Sequence, residues 1–242
     1  MDNNVNYNVP ECGASDGRNH DYNQAFTPEK FYSLLVATES PLIMDIGAHV
    51  GETIRYFKNI FPKSEILSFE PDVVNFEKLK QVAGEFGVEC FNFALGSESG
   101  EKTFYKQEHS HLGSLKEIDI HSKDSLGYAE RAKNEERVVK CLTLDTFILN
   151  KDIKKIDLLK IDVQGFELDV LKGAKKALEI SSAVSVEISL FDFYKREDRK
   201  LGSIINIFED LGFELYDIIK ISKNPSNLRT DWFEGIFRKL EI

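Results

Sequence analysis

Residues 42–51 of the chain, LIMDIGAHVG, decide the fold. The first five form a short apolar run of strand length that contains a single acid, Asp45. A glycine-bearing turn from Gly47 to Gly51 follows, and residues 52–61 then place apolar side chains at helical spacing. Glycine permits positive φ or the close approach of a ligand, and the helix beyond offers free N–H groups to a carboxylate or phosphate. This strand–turn–helix unit therefore predicts a parallel sheet with a ligand at its carboxyl edge.

The second strand, predicted at residues 65–69, supports the same interpretation. Glu70 ends this strand roughly twenty residues after the turn, a spacing at which an acid can accept hydrogen bonds from both hydroxyls of a ribose. The turn has the spacing Asp-x-Gly-x-x-x-Gly and lacks the Gly-x-Gly-x-x-Gly of dinucleotide-binding proteins. The alternative is a turn that uses glycine only for packing, with Glu70 as a solvated strand end. The combination of turn and acid favours a cofactor that contains a nucleoside.

Strands and helices alternate along the rest of the chain. Continuous apolar strands between amphipathic helices indicate a parallel sheet covered on both faces, closed here by an antiparallel pair of strands. A polar insertion at residues 97–137 breaks this alternation. Residues 1–25 are predicted to be a flexible N-terminal arm, which leaves residues 26–242 as one domain. Further strands are predicted at residues 88–95, 137–144, 156–163, 183–189, 213–221 and 232–240, and further helices at 73–86, 167–178 and 203–211.

The composition disfavours several classes of protein. The 242 residues include 31 Lys and Arg against 41 Asp and Glu, a net charge of -10. Nucleic-acid binders normally present a basic face, so we expect no nucleic-acid partner. No apolar run approaches the roughly 20 residues of a membrane-spanning helix, and no span is expected. The three cysteines are too scattered for a zinc or disulfide pattern, and the N-terminus has no signal-peptide pattern, so we expect a cytoplasmic protein.

Two blocks further along the chain carry a family resemblance. Residues 159–167, LKIDVQGFE, and residues 170–174, VLKGA, resemble the signature block of the FkbM family of S-adenosylmethionine (SAM)-dependent methyltransferases. Segments at 69–71, 92–96 and 143–145 resemble other parts of that family in the same order. The family usually has Glu where this chain has Gln164. The resemblance implies an α/β, Rossmann-like class I methyltransferase with a mostly parallel seven-stranded sheet, helices on both faces and an antiparallel C-terminal strand.

The same resemblance implies which residues bind the cofactor. The residues of the turn after the first strand would hold the methionine end of SAM, whose ammonium group suits an acid and whose carboxylate suits a helix N-terminus. Glu70 would bind the ribose, and Asn92 and Ala94 would lie beside the adenine. His49 is alternatively a partly exposed turn residue, and Asn92 alternatively stabilises a turn. The cofactor-binding residues expected in this way are Asp45, Gly47, Ala48, His49, Gly51, Glu70, Asn92, Ala94 and Asp162.

Asp162 is also the first candidate for catalysis. It ends a strand among apolar residues, where an unpaired buried charge is costly. The structural alternatives are a helix N-cap or an ion pair with Lys160, although Lys160 is expected on the opposite face of the strand.

A sugar hydroxyl becomes a good nucleophile only when a base or a metal polarises it. Histidine has the ordinary pKa best suited to a base, although both histidines of the insertion can equally be exposed loop residues. Two carboxylates on neighbouring strand ends can instead hold a divalent cation such as magnesium. The candidate catalytic residues are Asp162, Glu187, His109 and His111.

These observations predict a SAM-dependent O-methyltransferase that acts on a hydroxyl of a sugar, a glycan or a related small polar molecule. A SAM-binding protein without catalytic activity is one alternative. A nicotinamide-dependent oxidoreductase is the other, and the spacing of the glycines argues against it. The insertion at residues 97–137 and the N-terminal arm are expected to select the acceptor, because loops at the carboxyl ends of strands carry specificity.

Overall fold

A computed structural model describes residues 21, 24–122, 124–195 and 200–240. These residues form a seven-stranded sheet, a three-stranded sheet and the helices around them. The predicted N-terminal arm lies outside the described residues except for residues 21, 24 and 25. The helices are α1 (Pro28–Val36), α2 (Glu52–Ile60), α3 (Val73–Phe86), α4 (Leu144–Asn150), α5 (Glu167–Lys172), α6 (Lys175–Glu179) and α7 (Lys200–Asp210). The strands are β1 (Leu42–Ile46), β2 (Glu65–Phe69), β3 (Glu89–Phe91), β4 (Ala94–Leu95), β5 (Gly100–Lys106), β6 (Glu135–Leu142), β7 (Ile156–Ile161), β8 (Ser181–Ser189), β9 (Phe213–Lys223) and β10 (Thr230–Lys239).

The seven-stranded sheet has the order β3-β2-β1-β7-β8-β10-β9. β1 pairs in parallel with β2 and β7, and the parallel pairing continues to β3 on one side and β8 on the other. β10 runs antiparallel to both β8 and β9. The predicted mostly parallel sheet with an antiparallel C-terminal strand is therefore confirmed. Strand order reverses between β1 and β7, which marks the carboxyl edge of this pair as the place for a ligand.

Apolar side chains pack on both faces of this sheet. Consecutive residues of a strand point to opposite faces, so Ile43 packs with α1, α2 and α3, whereas Met44 packs with the helices from α4 to α7. On β7, Leu158 packs on the same face as Ile43 and Leu159 on the same face as Met44. By the same alternation, Asp45 lies on the face that carries Ile43.

The prediction of one strand over residues 88–95 is wrong, because this segment contributes to two different sheets. β3 pairs with β2 in the large sheet, whereas β4 pairs with β6 in the small one. Between them, the side-chain amide of Asn92 donates to the carbonyl oxygens of Glu70 and Pro71 at 2.9 and 3.0 Å, which fixes the break. The polar segment at residues 97–137 supplies β5, which pairs antiparallel with β6 and completes the small sheet.

The helices that cover the sheet are short. The single helix predicted over residues 167–178 is instead the pair α5 and α6, with Gly173 between them. A Cβ at Gly173 would lie 2.0 Å from the carbonyl oxygen of Gly96, so the chain stops its helix where it passes against the segment after β4. In the part of the chain that the structure describes, no helix combines the length and the apolar character needed to cross a membrane.

Candidate active site

A cavity of about 290 Å³ lies at the carboxyl edge of the large sheet. Its wall includes the turn after β1, the segments after β2 and β3, the end of β7 and a 3-10 turn, Ser110–Leu112, from the predicted insertion. Concave sites at this position of an open α/β sheet are the usual place for a ligand. The predicted site residues that line the cavity are Gly47, Ala48, His49, Glu70, Ala94, His111 and Asp162.

The glycine turn brings β1 into close contact with the end of β7. Gly47 has φ 86°, and a Cβ there would lie 1.8 Å from the carbonyl oxygen of Asp162. The backbone N–H groups of Gly47 and Ala48 donate to the carbonyl oxygen of Phe69 at 3.0 and 2.9 Å, which fixes the turn against β2. Gly51 lies outside the cavity wall, where it begins α2 with φ 96° and packs against Val82 of α3. The two glycines therefore shape the turn in different ways.

Glu70 is buried at the end of β2 with its carboxylate held by backbone donors. Oε2 accepts from the N–H of His49 at 2.9 Å, and Oε1 accepts from the N–H of Asp72 at 2.8 Å. Burial raises the pKa of Glu70 to about 7, against these backbone hydrogen bonds, which lower it. A carboxylate has about four lone-pair positions, so two remain for hydroxyl groups of a ligand. The structural alternative of a solvated strand end does not describe Glu70, which is 5 % exposed.

An apolar wall follows the Glu70 carboxylate. Phe69, Phe93, Ala94 and Leu95 line this part of the cavity and offer a surface of the kind that an aromatic base can contact. Asn92 lies outside the wall, and its amide makes the two turn contacts described above. The contacts of Asn92 are therefore those of a residue that stabilises a turn. Its other expected role, beside the adenine of the cofactor, stays a prediction.

The part of the cavity wall formed by Lys160 and Asp162, which we call its charged end, carries charges of both signs. Lys160 Nζ lies 3.6 Å from Asp45 Oδ1 and 3.4 Å from Asp162 Oδ2, so one ammonium group serves two carboxylates. The expectation that Lys160 faces away from Asp162 is wrong, because residues two apart on a strand share a face. Asp162 is not a helix N-cap, since Phe166 holds that position before α5. The ion pair with Lys160 is therefore the alternative that the structure contains.

The carboxyl groups at this end differ in pKa, because burial and neighbouring charges act on each of them differently. Burial raises the pKa of Asp45, only partly offset by Lys160. Burial also acts on Asp162, but the Lys160 charge and the hydrogen bond from Gln164 outweigh it and hold its pKa below the usual range. Glu187 has the opposite balance: burial and the nearby charge of Asp162 raise its pKa well above the usual range. Asp162 is thus ionised at neutral pH, whereas Glu187 binds its proton more tightly than a free carboxyl group does.

Gln164 connects the two carboxyl groups. Its Nε2 donates to Asp162 Oδ1 at 2.9 Å and to Glu187 Oε1 at 3.4 Å. Its side-chain carbonyl accepts from the hydroxyl of Tyr194 at 3.1 Å, and the same hydroxyl contacts the carbonyl oxygen of Leu112 in the insertion. Glu187 itself lies outside the cavity wall, so Gln164 is the group between it and the cavity. The amide of Gln164 can donate to both carboxyl groups, which a glutamate carboxylate at this position could not do.

The three histidines of the site region differ in placement. His49 Nε2 lies 2.8 Å from the hydroxyl of Ser110, which ties the glycine turn to the insertion. His111 lines the cavity, and burial together with the neighbouring His109 lowers its pKa, so that its imidazole is neutral at neutral pH. His109 lies outside the main cavity and packs edge-on against Tyr128, with ring centroids 4.9 Å apart.

Several cavity residues were not among the predicted site residues. Lys160 and Gln164 flank Asp162 in the signature block, so the block itself carried the signal for both. Lys220 belongs to no motif. The additional polar residues of the wall are Glu52, Thr53, Asn75, Ser110, Ser114, Lys160, Gln164 and Lys220.

The magnesium site considered for Asp162 and Glu187 gains no support. Among the described residues, no group of three or more His, Cys, Asp or Glu side chains is arranged to hold a metal ion. The cation that Asp162 contacts is the Lys160 ammonium group.

The order of the seven strands, with one antiparallel strand between two parallel ones, is that of the class I methyltransferase fold. The chain belongs to the FkbM methyltransferase family, because the family described as "Methyltransferase FkbM domain" matches residues 45–215. The expected fold and the expected family are therefore both confirmed.

Two curated relatives are methyltransferases by name. The chain is 27% identical over 168 residues to the 2-O-methyltransferase NoeI of Sinorhizobium fredii, an alignment that covers 66% of this chain and 68% of that protein. It is 25% identical over 154 residues to the hexuronic acid methyltransferase AglP of Haloferax volcanii, covering 63% of this chain and 57% of that protein. Similarity at this level supports methyl transfer as the type of reaction.

Solved structures agree on the fold. An FkbM methyltransferase from Methylobacillus flagellatus matches with a TM-score of 0.52 and 14% identity, over 89% of this chain and 50% of that one. This chain therefore spans about half the length of that solved relative. The fibrillarin pre-rRNA processing protein of Methanococcus jannaschii matches with a TM-score of 0.50 and 12% identity, over 85% of this chain and 68% of that one. At these identities the likeness concerns the fold alone.

Proposed function

We propose that the protein transfers a methyl group from SAM to a hydroxyl oxygen of a sugar, a glycan or a related small polar molecule. One observation carries the proposal. A single cavity is lined both by Glu70 and the glycine turn, which suit a nucleoside cofactor, and by the ionised carboxylate of Asp162, which suits a hydroxyl group. A cofactor and an acceptor can therefore meet in one space.

The residues present fit SAM. Asp45 is fully buried, lies outside the cavity wall and is paired with Lys160 at 3.6 Å, so any attraction that it exerts on the cationic methionine end would be shared with that ammonium group. The Glu70 carboxylate retains acceptor positions for two ribose hydroxyls. Phe93, Ala94 and Leu95 would contact the adenine. These assignments follow the chemistry of the donor and acceptor groups on each wall.

When bound, SAM supplies an electrophilic methyl group on a sulfonium. The residues of this chain have to orient the acceptor hydroxyl and accept its proton. Asp162 lines the cavity and is ionised at neutral pH, so its Oδ atoms can accept the hydroxyl proton. Lys160 stabilises that negative charge, and Gln164 fixes the orientation of the carboxylate. The neutral imidazole of His111, which also lines the cavity, is the second candidate for the proton acceptor.

The names of two relatives support a hydroxyl oxygen as the methylated atom and a sugar as the methyl acceptor. NoeI is called a 2-O-methyltransferase and AglP a hexuronic acid methyltransferase. A hydroxyl-bearing small molecule or glycan is accordingly the proposed acceptor. That the acceptor is not a nucleic acid stays a prediction from the acidic composition.

Two measurements on the wild-type protein test the proposal. Calorimetry with SAM and with S-adenosylhomocysteine should detect binding of both. Methyl-labelled SAM should then label at least one member of a panel of methyl glycosides of hexoses, deoxyhexoses and hexuronic acids, at a hydroxyl oxygen located by NMR. Folded protein that binds neither cofactor form would refute the proposal. Cofactor binding without transfer to any acceptor, RNA included, would favour the non-catalytic alternative. The nicotinamide alternative is contradicted by membership of a methyltransferase family.

A further inference from the structure

Lys220 is a cavity residue that lies beyond the part of the chain matched by the family. The match ends at residue 215, and Lys220 lies on β9, the edge strand of the large sheet. It nevertheless lines the same cavity as Lys160 and Asp162. Neither the cofactor contacts nor the proton transfer proposed above gives this second lysine a role.

A β-bulge turns Lys220 toward the cavity. In the pairing of β9 with β10, Ile219 opposes Glu234 and Ser222 opposes Trp232, so two residues of β9 lie against one residue of β10. In a regular strand the side chain of Lys220 would point to the face opposite that of Ile219. Its φ is instead 46°, in the left-handed region, which is unfavourable for a residue that is not glycine. The fold thus retains a strained backbone that redirects one ammonium group.

The redirected ammonium group meets a buried acid. Lys220 Nζ lies 2.6 Å from Glu234 Oε2, and the hydroxyl of Ser185 donates to the other oxygen of Glu234. Glu234 is 6% exposed, whereas the side chain of Lys220 is 33% exposed. An ammonium group has three N–H donors, so the contact with Glu234 leaves two for groups in the cavity.

Lys220 belongs to the end of the cavity that holds Asp162. Glu234 opposes Glu187 across the pairing of β10 with β8, and Gln164 bridges Glu187 to Asp162. Burial has the largest effect on the pKa of Asp162 and raises it, whereas Lys160 and Gln164 lower it. The charge of Lys220 also lowers this pKa, by a smaller amount than either of them. Lys220 therefore lines the same cavity as the group that would receive the acceptor proton.

We propose that Lys220 binds the methyl acceptor by donating hydrogen bonds to an oxygen other than the one that is methylated. The inference rests on the proposed function and deepens it, because it assigns a residue to acceptor recognition. A sugar offers such an oxygen on the carbon next to the reacting hydroxyl. Lys220 would then hold the acceptor at two points together with Asp162, which selects one hydroxyl among several.

A purely structural role predicts a different outcome for variants. If Lys220 only neutralises the buried Glu234, removal of both charges in Lys220→Met/Glu234→Gln should restore wild-type behaviour. If Lys220 binds the acceptor, this double variant should fold and bind SAM as the wild type does but retain a raised acceptor KM. Lys223→Met removes an exposed lysine from the same strand and is the matched control.

The kinetic test uses the sugar with the highest rate in the panel described above. For the double variant we expect the acceptor KM to rise about tenfold or more, the effect of losing a hydrogen bond from a charged donor, with kcat less affected and Lys223→Met unchanged. The Kd for SAM should stay within about twofold of the wild-type value, because no hydrogen bond to SAM is removed. An unchanged acceptor KM in the double variant would overturn the inference.

A second measurement does not depend on turnover. Wild-type protein saturated with S-adenosylhomocysteine is acetylated with an N-hydroxysuccinimide ester in the presence of each sugar, and the modification of Lys220 and Lys223 is quantified by mass spectrometry. At least one sugar should protect Lys220 and leave Lys223 unprotected. If no sugar of the panel protects Lys220, the inference is refuted. Failure of the wild type to bind SAM would instead refute the proposed function, so the two failures are distinguishable.

Discussion

The two ends of the cavity are built in different ways. At the proposed cofactor end, Glu70 and the glycine turn are held by backbone donors and acceptors from neighbouring segments. At the proposed acceptor end, Asp162 is held by side chains, Lys160 from its own strand and Gln164 from the turn beyond it. The first end depends on the path of the chain, whereas the second depends on a network of charges.

This difference predicts that the two ends respond differently to substitution. A backbone contact survives most changes of side chain, so a turn with glycine in the right places is sufficient for it. A charge network changes its properties with each side chain, because every member alters the pKa of the others. Variants should therefore affect folding and cofactor binding at one end, and rate and selectivity at the other.

The largest effect is expected for Gly47→Ala. The added Cβ would lie 1.8 Å from the carbonyl oxygen of Asp162, and φ 86° is unfavourable for alanine. Strain and overpacking together should lower the free energy of unfolding by roughly 2–5 kcal/mol and abolish SAM binding. Gly87→Ala is the control, since Gly87 also has positive φ but open space around it. Equal losses for the two variants in denaturant unfolding would contradict the role of the close contact.

Asp162→Asn should separate chemistry from cofactor binding. Loss of the proton acceptor should reduce turnover by about two orders of magnitude or more, with the Kd for SAM little changed. Asp157→Asn is the control at the other end of β7, where Asp157 accepts from the N–H of Leu42 at 2.9 Å. That control should lose stability and keep its rate per folded molecule. An unchanged turnover in Asp162→Asn would remove Asp162 from the active site, and a similar comparison with His111→Asn ranks the two proton acceptors.

Glu70→Ala should weaken SAM binding by roughly 1–3 kcal/mol, the cost of losing hydrogen bonds to a charged acceptor. The variant also leaves the N–H groups of His49 and Asp72 without their acceptor. Calorimetry gives the affinity, and thermal unfolding measures the accompanying loss of stability. An affinity for SAM equal to that of the wild type would mean that Glu70 only fixes the turn.

The raised pKa of Glu70 predicts a pH dependence. Because the folded protein holds this proton up to about pH 7 and the unfolded chain releases it near the ordinary value of 4.5, the contribution of Glu70 to stability falls as pH rises between these values and is constant above them. Ribose hydroxyls bind the ionised form, so SAM affinity should rise by up to about tenfold between pH 6 and 8. Glu70→Gln should lose this pH dependence. A flat profile in the wild type would contradict the assignment.

The smallest effect is expected for the contact between the insertion and the glycine turn. Ser110→Ala removes the contact of 2.8 Å with His49 that joins the insertion to the glycine turn. The free energy of unfolding should fall by about 1 kcal/mol, the usual worth of one hydrogen bond. Acceptor KM should change more than SAM affinity, because the insertion is the acceptor-side part of this contact. The opposite order of effects would place the insertion at the cofactor end.

The cofactor end could be predicted from the sequence because its residues are contiguous. The strand, the turn and the helix of residues 42–61 form one local unit, and Glu70 follows at the next strand end. The break between β3 and β4 could not be predicted, because it depends on hydrogen bonds from Asn92 to carbonyl oxygens of another strand end. The residues on both sides of that break are similarly apolar, so the sequence pattern gives no sign of it.

The acceptor end was predicted only in part. Asp162 was identified from the signature block, and the rule that alternate residues share a face is enough to place Lys160 beside it. Lys220 carries no comparable signal, because a bulge becomes visible only when the register of β9 against β10 is known. Glu187 lies behind Gln164, and its distance from the cavity depends on a side chain in another segment.

The pairing of Asp45 with Lys160 also bears on the order in which the protein can fold as it is synthesised. Asp45 leaves the ribosome with β1, whereas its only nearby ammonium group within the described residues arrives with β7, after the whole small sheet has been made. Until then, burying Asp45 would require it to be protonated or unpaired, which is costly. A nascent chain that ends before β7 therefore has β1 as an open edge with a hydrated acid, and the centre of the sheet is completed only by the later half of the chain.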